Sequence, residues 1–169
     1  VTLITGASSG IGEEFAHRYA AQKHDLVLVA RTESKLQALA EKLRAEHGIT
    51  VTVIPCDLTA PEAAERLWEE TNRAELEIDV LVNNAGFGTS GDVADESPKR
   101  LEQEVRLNCL TLTGLTARYL PAMRERKNGT IINIASTADF QPLPHMAVYG
   151  ATKAFVLSFT EALWSETRK

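Results

Sequence analysis

Three side chains in the C-terminal third of the sequence have the types and spacing needed for proton transfer at an oxygen atom. Tyr149 and Lys153 stand four residues apart, which places a phenol and an ammonium group on one face of a helix if this stretch is helical. A free tyrosine has a pKa of about 10, and a nearby cation favours the phenolate and lowers that pKa. Ser136, upstream, can donate a hydrogen bond to an oxygen that gains negative charge. Singly, each side chain has an ordinary structural explanation, but together they predict acid–base chemistry on a carbonyl or an alcohol.

A glycine-rich turn near the start of the chain predicts a phosphate-binding site. Its glycines are Gly6, Gly10 and Gly12, in the spacing Gly-x-x-x-Gly-x-Gly between a predicted strand and a predicted helix. Gly6 would make the sharp turn, Gly10 would let the backbone approach a pyrophosphate, and Gly12 would let the helix pack closely on the strand. The N-terminus of the helix would then face the anion. A tight turn without a ligand is the alternative, and the strand–turn–helix context argues against it.

The end of the second predicted strand indicates which dinucleotide is preferred. A site for NAD has a carboxylate there, which accepts hydrogen bonds from the ribose 2′-hydroxyl. Here Ala30 is followed by Arg31, and a guanidinium suits the 2′-phosphate of NADP. Ser8 or Ser9 could add a hydroxyl group to that phosphate. We therefore expect NADP(H) to be preferred over NAD(H), the alternative being that Arg31 is a solvated surface residue.

The order of strand and helix patterns predicts one α/β domain over residues 1–169. Short β-rich runs alternate with helical patterns, as in β-α-β units that build a parallel sheet. The predicted strands are 1–5, 25–30, 51–55, 79–83 and 130–136, and the predicted helices are 10–22, 33–47, 61–75, 97–127 and 147–167. This is typical of a Rossmann-type doubly wound parallel sheet, which usually has six strands in the order 3-2-1-4-5-6. We expect the C-terminal strands of such a sheet to be absent from this chain.

Local signals predict where two of the helices begin and where one is interrupted. Thr59 is expected to cap the third helix, with Pro61 in its first turn. Ser97 is expected to cap the fourth helix, with Pro98 at its first position. Pro121 lies inside that helix, so we expect it to bend or split the helix there.

Composition limits the classes of function that are open to the chain. Its formal net charge is −5, which argues against general attraction to nucleic acid or to anionic membranes. We expect no signal peptide and no membrane-spanning segment, because strand one begins at once and no apolar run is long enough. Cys56 and Cys109 are too few for a disulfide scaffold and suit a reducing, cytoplasmic location. The histidines show no metal-ligand spacing, so no metal site is predicted.

Together these motifs resemble the short-chain dehydrogenase/reductase family over essentially the whole chain. The shared marks are the glycine turn, Asn83-Asn84-Ala85-Gly86, Asn108, Ser136 and Tyr149-x-x-x-Lys153. The resemblance implies hydride transfer between C4 of a nicotinamide and the carbon atom of a ketone, an aldehyde or an alcohol. It also implies a homodimer or homotetramer built on the helices that contain Asn108 and Tyr149.

The resemblance further implies a role for each site residue. Tyr149 would donate the proton in reduction and accept it in oxidation, and Lys153 would bind the nicotinamide ribose and lower the pKa of Tyr149. Ser136 would orient the carbonyl, and Asn108 would hold a water that links Lys153 to solvent. The implied cofactor-binding residues are Gly6, Ser8, Ser9, Gly10, Ile11, Gly12, Arg31, Asp57, Leu58, Asn84, Ala85, Gly86, Tyr149 and Lys153, in which Asp57 and Leu58 would contact the adenine.

Two other functions are weighed against this prediction. A non-catalytic NAD(P)-binding sensor or scaffold would have no use for Tyr149 and Ser136. A methyltransferase on a similar sheet would need a ribose-binding carboxylate where Ala30 and Arg31 stand. We therefore predict an NADP-preferring oxidoreductase, with the sensor as the alternative. The loop residues Phe87, Leu143, Pro144 and Met146 are expected either to line an apolar substrate pocket or to be ordinary loop residues.

Overall fold

The computed structural model describes residues 1–168 and contains a sheet of five parallel strands. The strands are β1 (Thr2–Thr5), β2 (Leu26–Ala30), β3 (Val51–Pro55), β4 (Val80–Asn83) and β5 (Thr130–Asn133). Their order in the sheet is β3-β2-β1-β4-β5, which confirms the predicted Rossmann-type fold. The strand order reverses between β1 and β4, so a crevice is expected at the carboxyl ends of these two strands.

Within residues 1–168, six α-helices flank the sheet. They are α1 (Gly10–Ala21), α2 (Glu33–His47), α3 (Ala63–Arg73), α4 (Pro98–Val105), α5 (Leu112–Arg126) and α6 (Ala147–Thr167). A π-helical segment, Arg106–Thr111, joins α4 to α5, and a short 3₁₀ helix, Thr137–Phe140, follows β5. Within residues 1–168, no helix is both long enough and apolar enough to cross a membrane.

The core has two layers because consecutive strand residues point to opposite faces of the sheet. Ile4 and Leu28 pack with α1 and α2, whereas Leu3 and Val29 pack with the elements on the other face, α3 and α5. All four side chains are fully buried. Helices therefore cover both faces of the sheet, which explains why β2 is an unbroken apolar run rather than an alternating one.

The predicted cap of the third helix is wrong. This helix begins at Ala63, and Glu62 precedes it in the left-handed region at φ +59° without any side-chain cap. Thr59 instead bonds to Asp57, whose Oδ1 accepts from the Thr59 backbone N–H at 3.0 Å and from its hydroxyl at 2.8 Å. This local turn at the end of β3 competes with helix capping. Pro61 accordingly lies before the helix rather than in its first turn.

The predicted fourth helix is divided, but not at Pro121. Helix α5 continues through Pro121 to Arg126, and the irregular stretch is the π-helical segment Arg106–Thr111. The proline removes one hydrogen bond to the carbonyl of Ala117, and both residues are exposed, so water can replace the lost donor. Pro98 occupies the first helical position as predicted.

Strand β5 is shorter than predicted. Its last residue paired with β4 is Asn133, which lies opposite Asn83, and β4 ends at the same level. The Ile134 N–H still donates to the carbonyl of Asn83 at 3.0 Å, but β4 ends there. Ser136 is therefore released from the strand and precedes the 3₁₀ helix.

Tyr119 is buried where α5 packs against α3, and this burial shifts the pKa of its phenol. The ring is 6% exposed, and its hydroxyl lies 2.8 Å from Oγ1 of Thr71. Burial raises the pKa of Tyr119 to about 12, and the hydrogen bond with Thr71 acts in the opposite direction. An unfolded tyrosine ionises near pH 10, so between about pH 10 and 12 the unfolded state has lost a proton that the folded state retains. Folding stability therefore falls as the pH rises through this window, by up to about 1.4 kcal/mol per pH unit.

We expect Tyr119→Phe to remove this contribution. The free energy of unfolding, measured by urea denaturation at a series of pH values, should decrease less steeply above pH 10 in the variant than in the wild type. At neutral pH the variant should lose about 1 kcal/mol, because the buried hydrogen bond between Tyr119 and Thr71 is lost. Equal slopes above pH 10 would contradict the assignment.

Candidate active site

The carboxyl ends of the strands open into a cavity of about 780 Å³, a volume within the usual range for small-molecule sites. Most of the predicted site residues line it: Gly6, Ser8, Ser9, Ile11, Arg31, Asp57, Leu58, Asn84, Ala85, Gly86, Ser136, Tyr149 and Lys153. Gly10, Gly12 and Asn108 lie outside its wall. The fold thus brings the glycine turn and the acid–base side chains, which are far apart in sequence, to one cavity.

The three glycines of the turn are required for different reasons. Gly6 and Gly10 have φ of +68° and +59°, a region that side chains disfavour. An ideal Cβ on Gly6 would lie 2.7 Å from Nδ2 of Asn84, whereas one on Gly10 would meet nothing within 4 Å. A Cβ on Gly12 would collide with the carbonyl oxygen of Gly6. Gly12 therefore lets α1 approach the turn itself, and Ile11 on the first helical turn lines the cavity.

A hydrogen-bond network holds this turn against the end of β4. The Thr5 hydroxyl accepts from the backbone N–H groups of Asn84 and Ala85, each at 3.0 Å, and donates to the carbonyl of Val82 at 3.1 Å. In return, Nδ2 of Asn84 donates to the carbonyl of Thr5 at 2.9 Å. The Asn84 side chain thus supports the glycine turn. Thr5 was missed as a site residue, and its position directly before Gly6 was the available signal.

Arg31 and Asp57 bring opposite charges to one end of the cavity. Asp57 follows β3, and its two hydrogen bonds from Thr59, together with the charges of Arg31 and Arg66, hold the pKa of its carboxyl below the ordinary value. Arg31 follows β2 and is exposed. No carboxylate among residues 1–168 lies within 4 Å of its guanidinium. The guanidinium is therefore open to an anionic ligand.

Ser136 is held with its hydroxyl hydrogen free. It caps the 3₁₀ helix, its Oγ accepts from the Ala138 N–H at 3.1 Å, and its own N–H donates to Oδ2 of Asp139 at 3.1 Å. This reciprocal capping box fixes the side chain. A hydroxyl that accepts through its oxygen still has one hydrogen to donate, so Ser136 can donate to an oxygen in the cavity.

Lys153 is buried beside Tyr149, on the first turns of α6. Its side chain is 7% exposed, and Nζ lies 5.8 Å from the centre of the Tyr149 ring. Nζ donates to the carbonyl of Ile134 at 2.5 Å, a contact that the sequence analysis did not predict. Burial lowers the pKa of Lys153, and the charges of Asp139 and Cys109 act in the opposite direction. An ammonium has three hydrogens, so two remain after the bond to Ile134.

Asn108 joins three elements through its side chain. It lies in the π-helical segment and is 2% exposed. Its Nδ2 donates to the carbonyl of Phe87 at 2.9 Å and to Oγ1 of Thr152 at 3.0 Å, and its Oδ1 accepts from the Phe87 N–H at 3.2 Å. Both amide hydrogens are therefore used. A water that linked Asn108 to Lys153 would have to donate a hydrogen bond to an oxygen atom of Asn108.

Two of the four loop residues considered for an apolar pocket form part of the remaining wall. Phe87 and Met146 line the cavity, whereas Leu143 and Pro144 do not. Arg100 also lines it, with its guanidinium carbon 3.8 Å from the centre of the Phe87 ring. Further lining residues without a prior prediction are Ala30, Thr32, Cys56, Thr59, Gly88, Leu107, Ile134 and Ala135. The topology brings these residues to the cavity, but their side-chain types do not indicate a binding site in the sequence.

Comparison with known families settles which family this arrangement represents. The sequence profile described as short chain dehydrogenase matches residues 1–169. The chain belongs to the short-chain dehydrogenase family. This confirms the resemblance read from the motifs, and it argues against the methyltransferase alternative.

Relatives of known name span a longer sequence than this chain. An 11-beta-hydroxysteroid dehydrogenase from Pinus massoniana is 41% identical over 166 residues, which cover 96% of this chain and 46% of the relative. A very-long-chain 3-oxoacyl-CoA reductase from Pyrenophora tritici-repentis is 36% identical, over 97% of this chain and 49% of the relative. The chain thus spans about half the length of these curated relatives.

Solved structures of the family superimpose closely. A short-chain dehydrogenase from Sphingobium yanoikuyae in complex with NADPH has a TM-score of 0.93 and 42% identity, and the match covers 98% of this chain and 65% of the other. A bulky-bulky ketone specific alcohol dehydrogenase from Comamonas testosteroni has a TM-score of 0.92 and 40% identity, over 98% and 66% of the two chains. The site described above therefore lies on a scaffold shared with dehydrogenases.

The electrostatics around Lys153 can be tested with Asp139. The Asp139 carboxylate raises the pKa of Lys153, and Asp139→Asn removes this charge while keeping an oxygen that can accept the Ser136 N–H. We therefore expect the pKa of Lys153 to fall further in the variant, so that Nζ loses its proton at a lower pH than in the wild type. A pH titration of the lysine ¹³Cε resonances, assigned with Lys153→Met, measures it. The exposed Asp95, changed to Asn, is the matched control, and an unchanged or raised pKa in Asp139→Asn would refute the interaction.

Proposed function

We propose that this chain is the cofactor-binding and catalytic core of an NADP-preferring oxidoreductase that interconverts a ketone or aldehyde and an alcohol. The observation that carries the proposal is that Ser136, Tyr149 and Lys153 line the same cavity as the glycine turn. A phosphate-binding turn alone would suit any nucleotide-binding protein. A phenol, a free hydroxyl hydrogen and a buried ammonium beside it suit acid–base work on an oxygen atom.

The residues at the glycine turn fit a dinucleotide. The absent side chains of Gly6 and Gly12 let the turn pack closely on Asn84 and on α1, and the space beside Gly10 is open. The first backbone N–H groups of α1 lack helical partners and favour an anion. Asp57 and Leu58 would hold the adenine end, and the backbone from Asn84 to Gly86 would lie along the middle of the cofactor. When bound, the nicotinamide would donate or accept a hydride at the substrate carbon.

The protein's own residues would manage the proton and the charge. Tyr149 would donate its phenolic proton to the substrate oxygen in reduction and take it back in oxidation. Ser136 would donate its free hydroxyl hydrogen to the same oxygen and so stabilise negative charge there. The ammonium of Lys153 would stabilise the phenolate by Coulomb attraction, which is strong because the group is buried. Its two remaining hydrogens would bind ribose hydroxyls.

The preference for NADP(H) rests on Arg31. Its guanidinium is exposed at the end of β2 without a carboxylate partner among the described residues. It can therefore donate hydrogen bonds to a 2′-phosphate at little desolvation cost. Ser8 and Ser9 line the same cavity. Related structures that carry NADPH or NADP support the choice of a nicotinamide cofactor.

The proposal extends to the substrate class, the assembly and the location of the protein. The names of the relatives support a large carbonyl substrate, and the apolar walls Phe87 and Met146 suit one. Leu110 and Phe155 are 59% and 42% exposed on the helical stretches that contain Asn108 and Tyr149, which supports a homodimer or homotetramer through this face. Two free thiols, Cys56 and Cys109, support a cytoplasmic location.

Removal of Arg31 tests the cofactor preference. In Arg31→Ala, affinity for NADPH should fall about 10- to 100-fold, because a charge-assisted hydrogen bond to the 2′-phosphate contributes about 1.5–3 kcal/mol. Affinity for NADH, which lacks this phosphate, should change little. Fluorescence titration with both cofactors measures the ratio. Arg73→Ala, which removes an exposed arginine from the end of α3, is the control. If the ratio of NADPH to NADH affinity stays constant, Arg31 does not select the cofactor.

Tyr149→Phe tests the acid–base role and separates an enzyme from a cofactor sensor. Turnover of a carbonyl substrate by the full-length protein should fall about 10²- to 10⁴-fold, because only the proton donor is lost, while NADPH binding should persist. Tyr19→Phe, which lies on α1 outside the cavity, is the control. Normal NADPH binding without turnover of any tested carbonyl by the wild-type protein would favour the sensor.

A further inference from the structure

A buried carboxylate lies outside the cavity and has no role in the proposed chemistry. Glu104, on α4, is 0% exposed, and its Oε2 accepts a 2.5 Å hydrogen bond from the hydroxyl of Thr89. Its other oxygen, Oε1, is buried without a hydrogen-bond partner among residues 1–168. We call the bond between these two side chains the Thr89 clasp.

The Thr89 clasp is energetically less favourable than an apolar contact of the same size. A buried carboxylate gives up its hydration, and a half-satisfied one recovers only part of that loss. Apolar side chains of similar volume would serve the fold as well or better, since replacing buried polar pairs by apolar residues is often neutral or stabilising. Stability alone therefore does not account for Glu104, whereas a need to fix the position of Thr89 does.

The clasp works together with Asn108, one helical turn further on. Residues four apart lie on the same helix face, so Glu104 and Asn108 both reach the segment 87–89. Asn108 holds both backbone groups of Phe87, and Glu104 holds the side chain of Thr89. Gly88 lies between these two attachment points and is therefore fixed from both sides.

Gly88 in turn lies directly against the Tyr149 ring. An ideal Cβ on Gly88 would be 2.8 Å from Cδ2 and 3.0 Å from Cγ of Tyr149, so even one methyl group would displace the ring or the loop. The backbone of Gly88 thus forms a wall that limits where the phenol can turn. A shift of this loop would release the ring.

We propose that Glu104 and Thr89 are positioning residues for Tyr149: through Gly88 they hold the loop against which the phenol ring is oriented. This inference rests on the proposed acid–base role of Tyr149. Loss of the clasp would leave the proposed phosphate-binding turn intact, because Thr5, Asn84 and the glycine turn are held by a separate network. It would move the phenolic oxygen relative to Ser136 and Lys153.

The test compares Thr89→Val, which removes the hydroxyl, with Thr89→Ser, which keeps it. The readout is the Tyr149 resonance of full-length protein labelled with [¹³Cζ]tyrosine, assigned with Tyr149→Phe. In Thr89→Val this resonance should move from its wild-type position, and in Thr89→Ser it should not. Tyr19 and Tyr119 should stay in place as internal references. Thr50→Val, at an exposed site, controls for the loss of a threonine hydroxyl.

Kinetics give a second readout. In Thr89→Val, kcat for carbonyl reduction should fall roughly 10- to 100-fold, the scale expected when a reacting group is misplaced by about 1 Å. The dissociation constant for NADPH should not change, and Thr89→Ser should restore kcat.

The double variant Thr89→Val/Glu104→Leu separates positioning from stability. An apolar pair should fold with a melting temperature equal to or above that of the wild type. On our proposal its Tyr149 resonance is nevertheless displaced and its kcat reduced. A wild-type Tyr149 resonance in this folded variant would overturn the proposal whatever the turnover. If the Tyr149 resonance is displaced but the wild-type protein turns over no carbonyl, the positioning role of Glu104 and Thr89 is supported and the proposed function is wrong.

Discussion

The Thr5 hydroxyl joins the two strand ends between which the cavity opens, and the geometry of the site depends on this connection. Thr5 is 1% exposed, and all three hydrogen bonds of its hydroxyl run to the segment 82–85 at the end of β4. At this point of the sheet the chain leaves β1 and β4 towards opposite faces, which opens the crevice. Without a tie across it, the phosphate-binding turn and the loop after β4 would be free to separate. The missing Cβ of Gly6 gives the Asn84 amide the space to complete that tie.

The position set at the strand ends is passed to Tyr149 along two routes. One runs through the loop after β4, whose residues 87–89 are held by Asn108 and Glu104 and press on the ring. The other runs from the end of β5, where the carbonyl of Ile134 holds Lys153 one turn along α6 from Tyr149. Both routes begin at the carboxyl edge of the sheet. Because β1, β2 and β4 at the centre of the sheet are buried on both faces, the sheet is a close-packed reference for the position of the phenol.

Element types and several boundaries could be predicted because their causes are local. Helix α2 ends at His47 as predicted, and Gly48 after it adopts φ +65°, as a helix-terminating glycine should. Strand β3 and helix α6 also occupy the predicted residues. The errors arose where a partner distant in sequence or an unexpected neighbour decided the outcome. Thr59 bonds to Asp57 instead of capping a helix, and β5 stops where β4 stops. Pro121 does not split its helix because its side of α5 faces water. The sequence pattern of one long helix did not predict which side of α5 is exposed.

The candidate site residues divide in the same way between those with chemically distinctive side chains and those that hold them in place. Tyr149, Ser136 and Lys153 stand out in the sequence because the proposed proton transfer demands particular functional groups. Ile134 contributes only a carbonyl oxygen, which every residue possesses, so no side-chain type could have indicated it. Gly88 is required only because an aromatic ring lies against it, and that neighbour is 61 positions away. Residues of this second kind are constrained by a shape that does not exist until the chain has folded, which is why a sequence can disclose a reaction while leaving its geometry undetermined.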